Sequence, residues 1–121
     1  MSASIDHIGI NVTDFARAKT FYVAALKPLG LAVLQDYGDV IGMGGDFPFL
    51  WISAGAPGHV HLAFRADNRE LVDAFHAAAI AAGGKDNGKP GLRPEYHQNY
   101  YGAFVLDPDG HNIEAVCHAP A

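Results

Sequence analysis

The chain has 121 residues, half of them hydrophobic, and its 13 acidic and 8 basic side chains give a formal net charge of −5. That length fits one compact domain, or two very small modules that share a core, and a charged fraction of only 17% argues against disorder. The acidic balance and the lack of a basic run argue against a nucleic-acid partner. The single cysteine, Cys117, excludes an internal disulfide framework.

The chain also lacks the signals of membrane insertion and export. No run of residues approaches the ~18–20 apolar residues of a membrane span. Residues 1–6 have neither the basic region nor the apolar region of a signal peptide. We therefore expect a cytoplasmic protein without a membrane partner.

The first half of the chain predicts a strand, a helix and three further strands. Apolar residues alternate over 5–12, which is the period of a strand. Helical spacing follows over 15–29, behind a cap at Thr13 or Asp14, and Gly30 ends it. Turns with glycine, aspartate and proline separate the remaining strand candidates, which are 31–37, 40–43 and 49–53.

The second half of the chain begins in the same way. An alternating strand over 59–66 precedes a helix from about 68 to 82, with Asp67 and Glu70 as a capping box. Residues 85–94 are rich in glycine and proline and predict a long loop. Two more strands, 102–106 and 112–118, flank the turn Asp-Pro-Asp-Gly.

The two halves agree when they are aligned at an offset of 54 residues. Matched positions include Ile8 with Leu62, Phe21 with Phe75, Ala25 with Ala79 and Gly30 with Gly84. Such a period indicates a duplicated unit, and units of ~55–60 residues bury little core alone, so the copies should pack together. The predicted fold class is α+β, with one domain over 1–121 and modules at about 4–55 and 58–118.

Three side chains on the alternating strands suggest a metal site. His7 and His61 are repeat-equivalent, and Glu114 lies on a late apolar strand. All three project away from the apolar face, so a curved sheet would point them into a cavity as a 2-His-1-carboxylate set. A lone strand histidine is more often hydrogen-bonded or exposed than a ligand, but the repeat favours a site for one divalent ion, Fe, Mn, Ni or Zn.

Aromatic residues in the segment 93–101 are candidates for handling protons. Tyr96, His97 and Tyr101 can orient a substrate or shuttle a proton, although a surface loop with aromatic anchors would have the same composition. Arg65 could bind an anionic group, with a surface ion pair as its alternative. The expected substrate-binding residues are Trp51, Asn11, Phe104 and Arg65.

The remaining histidines are not expected to be ligands. His59 and His111 lie beside turns, so we expect them to be exposed, and His76 lies inside the second helix.

The chain resembles the vicinal oxygen chelate superfamily, which includes glyoxalase I, extradiol dioxygenases, bleomycin-resistance proteins and fosfomycin-resistance thiol transferases. The resemblance covers nearly the whole chain and is carried by 5–12, 18–22, 61–64 and, above all, 104–114, Phe-Val-Leu-Asp-Pro-Asp-Gly-His-Asn-Ile-Glu. It implies paired βαβββ modules whose sheets curl around a metal-centred cavity. It also places His7, His61 and Glu114 at three ligand positions, and it implies a homodimer with active sites at or near the interface.

The resemblance implies a divalent-metal-dependent enzyme acting on a small substrate with vicinal oxygens, of lyase/isomerase or extradiol dioxygenase type. Trp51 stands where glyoxalase I enzymes carry a fourth ligand, a glutamate that also acts as the base. An indole nitrogen is only a hydrogen-bond donor, so lactoylglutathione lyase activity is not expected. The alternative function is that of a non-catalytic protein that binds or sequesters a small molecule, of the bleomycin-resistance type.

Overall fold

The computed structural model describes residues 5–121, which form two four-stranded mixed sheets with one helix each. The elements in chain order are β1 (Ile8–Val12), α1 (Phe15–Leu26), β2 (Ala32–Asp36), β3 (Val40–Gly44), β4 (Pro48–Ala54), β5 (His61–Arg65), α2 (Arg69–Ala81), β6 (Lys85–Leu92), β7 (Tyr101–Leu106) and β8 (Asn112–Cys117). A short 3₁₀ helix, Lys27–Leu29, follows α1. Part of the segment on which the signal-peptide expectation rests, residues 1–4, lies outside the described residues.

The two sheets have the same topology. Their strand orders are β1-β4-β3-β2 and β5-β8-β7-β6, and in each the first strand is parallel to the last while the other pairs are antiparallel. This confirms the predicted α+β fold of paired βαβββ modules. The sheets are open and do not close into a barrel. Neither α1 nor α2, the two α-helices of the described residues, has the length and hydropathy of a membrane span.

Side-chain caps fix where both helices begin. The Asp14 carboxylate accepts a hydrogen bond from the Arg17 amide at 3.1 Å, which confirms one of the two predicted caps of α1. Asn68 caps α2 by accepting from the Leu71 amide at 2.9 Å. The predicted capping box at Asp67 is therefore wrong by one residue.

The predicted loop at 85–94 is wrong for residues 85–92, which form strand β6. Among the described strands, β6 pairs only with β7 and so lies at the edge of its sheet. An edge strand tolerates Pro90, because one side of its backbone needs no partner. The register shifts on both sides of Gly88, so the glycines form irregularities within the strand instead of ending it.

The two modules share one buried core and interlock through α1. Phe21 and Tyr22 of α1 and Phe75 of α2 are completely buried. A Cβ atom at Gly84 would lie 2.5 Å from Phe21 Cε1, so α1 of the first module packs directly on the backbone of the second. A larger residue at Gly84 would clash with Phe21 of α1 and with Val105 of β7.

Polar contacts join the turn between β7 and β8 to the first module. The Tyr22 hydroxyl donates to Asp107 at 2.7 Å, and the Thr13 hydroxyl donates to Asp109 at 2.6 Å. The Asp107 carboxylate, which is 4% exposed, also accepts from the backbone amides of Asp109 and His111. The two carboxylates of this turn therefore accept hydrogen bonds from both modules.

His111 is buried, so the expectation that it is exposed is wrong. Its Nδ1 accepts a hydrogen bond from the Val60 amide at 3.2 Å, and its Nε2 donates to the Asn11 carbonyl at 2.9 Å. Its side chain is enclosed because the turn folds back against the end of β1. One imidazole thus connects β1, the segment before β5 and the turn.

The Tyr22–Asp107 contact predicts how stability changes at alkaline pH. Burial, together with the Asp107 carboxylate, raises the pKa of Tyr22 above the ~10 of an unfolded chain. The raised pKa of Tyr22 contributes fully to the free energy of unfolding below pH ~10. This contribution is lost as the pH rises further, because the unfolded state then releases a proton that the folded state keeps. Above pH ~10 the free energy of unfolding should therefore decline less steeply with pH in Tyr22→Phe than in the unmodified chain. The two slopes should differ by up to about 1.4 kcal/mol per pH unit.

Urea unfolding at stepped pH values between ~9 and ~11.5 measures this slope. Tyr37→Phe is the control, since the Tyr37 side chain is 66% exposed. Equal slopes for Tyr22→Phe and the unmodified chain would contradict the prediction.

Candidate functional site

His61 and Glu114 form a pair on neighbouring parallel strands. Ala63 of β5 lies opposite Glu114 of β8, and His61 precedes Ala63 by two residues, so it projects from the same face. His61 Nε2 lies 2.8 Å from Glu114 Oε1. The Glu114 side chain is 1% exposed and that of His61 is 55% exposed, so a buried carboxylate meets an accessible imidazole.

Tyr100 holds the other oxygen of the carboxylate. Its hydroxyl donates a hydrogen bond to Glu114 Oε2. Desolvation and this hydrogen bond raise the pKa of Tyr100, so at neutral pH the phenol keeps its proton and acts as a donor. Gly102 leaves the space for the contact, because a Cβ there would lie 3.1 Å from the Tyr100 ring and 3.3 Å from Glu114 Oε2.

The structure places Tyr101, expected beside the site, against α2. Its hydroxyl donates to Asp73 at 2.6 Å, and the Arg69 guanidinium lies 5.1 Å from its ring centre. Phe104 is the register partner of Glu114, so side chains at even positions of β7 share the face of the carboxylate. The alternation therefore points to Tyr100, a residue outside the expected set of Tyr96, His97 and Tyr101.

Tyr96 and His97 lie in the segment 93–100, which we call the tyrosine loop. The Tyr96 ring packs edge-on against Tyr100 with centroids 5.0 Å apart. His97 stacks on His118 with centroids 4.7 Å apart, and its Nδ1 lies 2.9 Å from the Gln98 carbonyl. The His97 ring also packs edge-on against Tyr100, with centroids 5.3 Å apart, but only Tyr96 lines the pocket beside the pair.

A pocket of about 270 Å³ opens beside the pair. Its lining residues are His61, Asn87, Gly88, Arg93, Tyr96, Phe104 and Asn112. The expected substrate-binding residue Phe104 is 9% exposed, and its ring centre lies 6.2 Å from that of His61. The volume lies just below the usual range of small-molecule sites, which begins at ~300 Å³.

The first module carries a pair of residues, His7 and Trp51, at the positions that correspond to His61 and Glu114. We call each of these two pairs a half-site. Gly9 of β1 lies opposite Trp51 of β4, as Ala63 lies opposite Glu114, so Trp51 occupies the position that corresponds to Glu114. The indole stacks nearly parallel to the Tyr37 ring at 6.3 Å. His7, two residues before Gly9, corresponds to His61.

Within one chain, two of the three expected metal ligands come together. His7 Nδ1 lies 2.8 Å from Asp6 Oδ1, and its side chain is 60% exposed. Among residues 5–121, no three His, Cys, Asp or Glu side chains approach closely enough to hold a metal ion. The imidazole and carboxylate of the His61–Glu114 pair suit a divalent first-row metal but lack a third donor.

Asn11 and Arg65, also expected to bind substrate, lie outside the pocket. The Asn11 amide nitrogen donates to the Ala56 carbonyl at 3.3 Å. Arg65 is exposed on β5, on the same face as His61. Within the described chain Arg65 forms no salt bridge, so the ion pair considered as its alternative role is not present there.

Comparisons with known proteins agree with this architecture. Residues 4–115 match the family model described as Glyoxalase/Bleomycin resistance protein/Dioxygenase superfamily. A crystal structure of a glyoxalase/bleomycin resistance protein from Albidiferax ferrireducens T118 is 31% identical, with a TM-score of 0.80 over 95% of this chain and 98% of that one. A search of curated proteins gives no significant match.

Two more distant structures share the fold. Lactoylglutathione lyase from Agrobacterium tumefaciens is 20% identical, with a TM-score of 0.69 over 96% of this chain and 94% of that one. TioX from Micromonospora sp. ML1 is 16% identical, with a TM-score of 0.74 over 97% of this chain and 100% of that one.

Proposed function

The chain belongs to the Glyoxalase/Bleomycin resistance protein/Dioxygenase superfamily, and we propose that it is a divalent-metal-dependent enzyme acting on a small substrate with vicinal oxygens. The His61–Glu114 pair beside a pocket of about 270 Å³ is the observation that carries the proposal. A buried carboxylate that is held by a phenol and adjoins an accessible imidazole resembles a ligand pair supported by its neighbours. The reaction is of lyase/isomerase or extradiol dioxygenase type.

The third ligand in this proposal is His7 of a second copy of the chain. The two half-sites are equivalent in register, so facing them would bring His7 and Trp51 of one copy opposite His61 and Glu114 of the other. The outer edges of β1 and β5 have no partner strand in the described chain. A homodimer would cover both edges.

Exposed aromatic side chains support this assembly. Tyr37, stacked on Trp51, is 66% exposed, and Tyr96, packed on Tyr100, is 57% exposed. Each half-site therefore exposes an aromatic ring to water, and exposed apolar groups of this kind often contribute to interaction sites. In the dimer, Trp51 would wall the cavity and offer a flat face to the substrate.

The metal, when bound, supplies Lewis-acid stabilisation of the substrate oxygens. Tyr100 keeps one Glu114 oxygen occupied and so orients the other towards His61. Tyr96 lines the pocket and is the nearer candidate for proton transfer. His97 and Tyr101, whose present partners are Gln98 and Asp73, would act only after a movement of the tyrosine loop or of the start of β7.

A mixing experiment with two variants tests both the metal site and its assembly. His7→Ala and Glu114→Ala homodimers should each lose metal. Unfolded and refolded together, they should recover about a quarter of the sites, because half of the dimers pair both variants and each of those has one intact site. Metal content by mass spectrometry of tag-free protein gives the readout. No recovery, with metal bound by the unmodified chain, would contradict a site shared between copies.

The second candidate function is the non-catalytic binding of a small molecule. Trp51 and the exposed Tyr37 stack nearly parallel, and their rings offer aromatic surface that suits a flat apolar ligand. A chain that binds no divalent metal but retains an aromatic ligand would favour this sequestering role.

A further inference from the structure

The Arg93 side chain is fixed beside the pocket by contacts that leave its charge unpaired. Its Nη2 donates to the Lys89 carbonyl at 2.7 Å, and the guanidinium lies over the Phe104 ring at 5.6 Å. The backbone of β6 makes room for it, since Cβ atoms at Gly88 and Gly91 would lie 3.3 and 3.1 Å from its terminal nitrogens. The guanidinium is therefore pre-positioned.

No carboxylate in the described chain forms a salt bridge with this cation. The salt bridges among residues 5–121 involve His7, Lys19, His61 and His76, and none of them includes Arg93. A surface arginine that serves only for solubility extends into water, whereas Arg93 is half-buried and lines the same pocket as His61. Its fork of donors matches a planar anion such as a carboxylate.

The rest of the pocket limits the size and character of the ligand. Tyr96 and Phe104 contribute apolar rings, and Asn87 and Asn112 contribute amides, one of which donates to the other at 3.2 Å. A volume of about 270 Å³ suits a molecule of one ring or a few carbons. With a net charge of −5, the chain needs a local cation to attract an anion.

We propose that Arg93 binds the carboxylate of a small monocarboxylate substrate whose neighbouring oxygen lies at the His61–Glu114 pair. This inference rests on the proposed function, and it narrows the substrate class to 2-hydroxy, 2-oxo or ortho-hydroxy aromatic acids. Arg93 is then a specificity-determining residue. It replaces Arg65, which lies outside the pocket, as the anion-binding arginine.

Salicylate and its neutral analogue salicylamide test the inference, because the two differ in the charge that Arg93 would recognise. With metal-free protein, to exclude chelation, ligand-observed NMR titrations should give salicylate about tenfold tighter binding than salicylamide. Arg93→Gln should remove most of that preference, and Arg93→Lys, which keeps the charge but loses the fork, should retain part of it. Gly91→Ala, which displaces the guanidinium without removing it, should also reduce the preference.

Two controls separate this inference from the proposed function. Arg17→Gln makes the same charge change on the exposed face of α1 and should keep the full preference. Zn²⁺ content after loading should be the same in Arg93→Gln as in the unmodified chain. Equal binding of the two probes, or loss of the preference in Arg65→Gln instead of Arg93→Gln, would overturn the role of Arg93 even where metal binding stands.

Discussion

Replacing Glu114 with glutamine is expected to weaken divalent-metal binding by more than about 100-fold while leaving the fold intact. The change removes the negative oxygen that faces His61. Loss of a residue that binds the metal directly should weaken metal affinity more than the 10–100-fold that is typical when a residue supporting a ligand is lost. The fold should survive because the amide oxygen can still accept from Tyr100 and because the side-chain volume is almost unchanged. His61 would then be the only proposed metal ligand left in its half-site.

Isothermal titration with Mn²⁺ or Zn²⁺ measures the affinity, and circular dichroism checks the fold. Glu95→Gln is the matched control, since it makes the same charge change in the exposed tyrosine loop. Affinities within a factor of about three for Glu114→Gln and Glu95→Gln would remove Glu114 from the proposed site.

Truncation of His111 to alanine is expected to destabilise the chain by about 3 kcal/mol. The change opens a cavity at a side chain that is 1% exposed, and it leaves the Val60 amide and the Asn11 carbonyl without their imidazole partners. Truncating a large buried side chain costs roughly 2–5 kcal/mol, and because the two hydrogen bonds are only partly buried, water can take over part of their role. The loss should lower Tm by roughly 10 °C in a domain of this size.

Chemical and thermal unfolding monitored by circular dichroism give the two quantities. His59→Ala, in the same segment but at an exposed position, should change stability by less than about 0.5 kcal/mol. If the two variants were equally stable, the imidazole would not connect the modules energetically.

The sequence predicts most of the fold because its local signals agree with its tertiary structure. The offset of 54 residues anticipates the common topology of the two sheets. Strand alternation also places His61 and Glu114 on one face, and the register of β5 with β8 brings them to 2.8 Å.

The remaining features depend on tertiary contacts that a local pattern does not encode. Residues 85–92 resemble a loop in composition, and their pairing with β7 becomes possible at a sheet edge. Tyr100 directly precedes β7 and Tyr101 begins it, so their side chains point to opposite faces and an uncertainty of one residue in the strand alternation reverses their roles. His111 resembles an exposed turn residue until the turn folds against the first module.

The contact between Trp51 and Gly42 couples two positions that are register partners on β3 and β4. A Cβ at residue 42 would lie 2.8 Å from the indole, whereas the corresponding partners in the second module are Phe104 and Glu114. The two modules thus differ in the side chains that face each other across this strand pair: an indole faces a glycine in the first, and a phenyl ring faces a carboxylate in the second. In the evolution of such chains, residues 42 and 51 should covary, because a carboxylate at 51 leaves a void that only a larger neighbour at 42 fills.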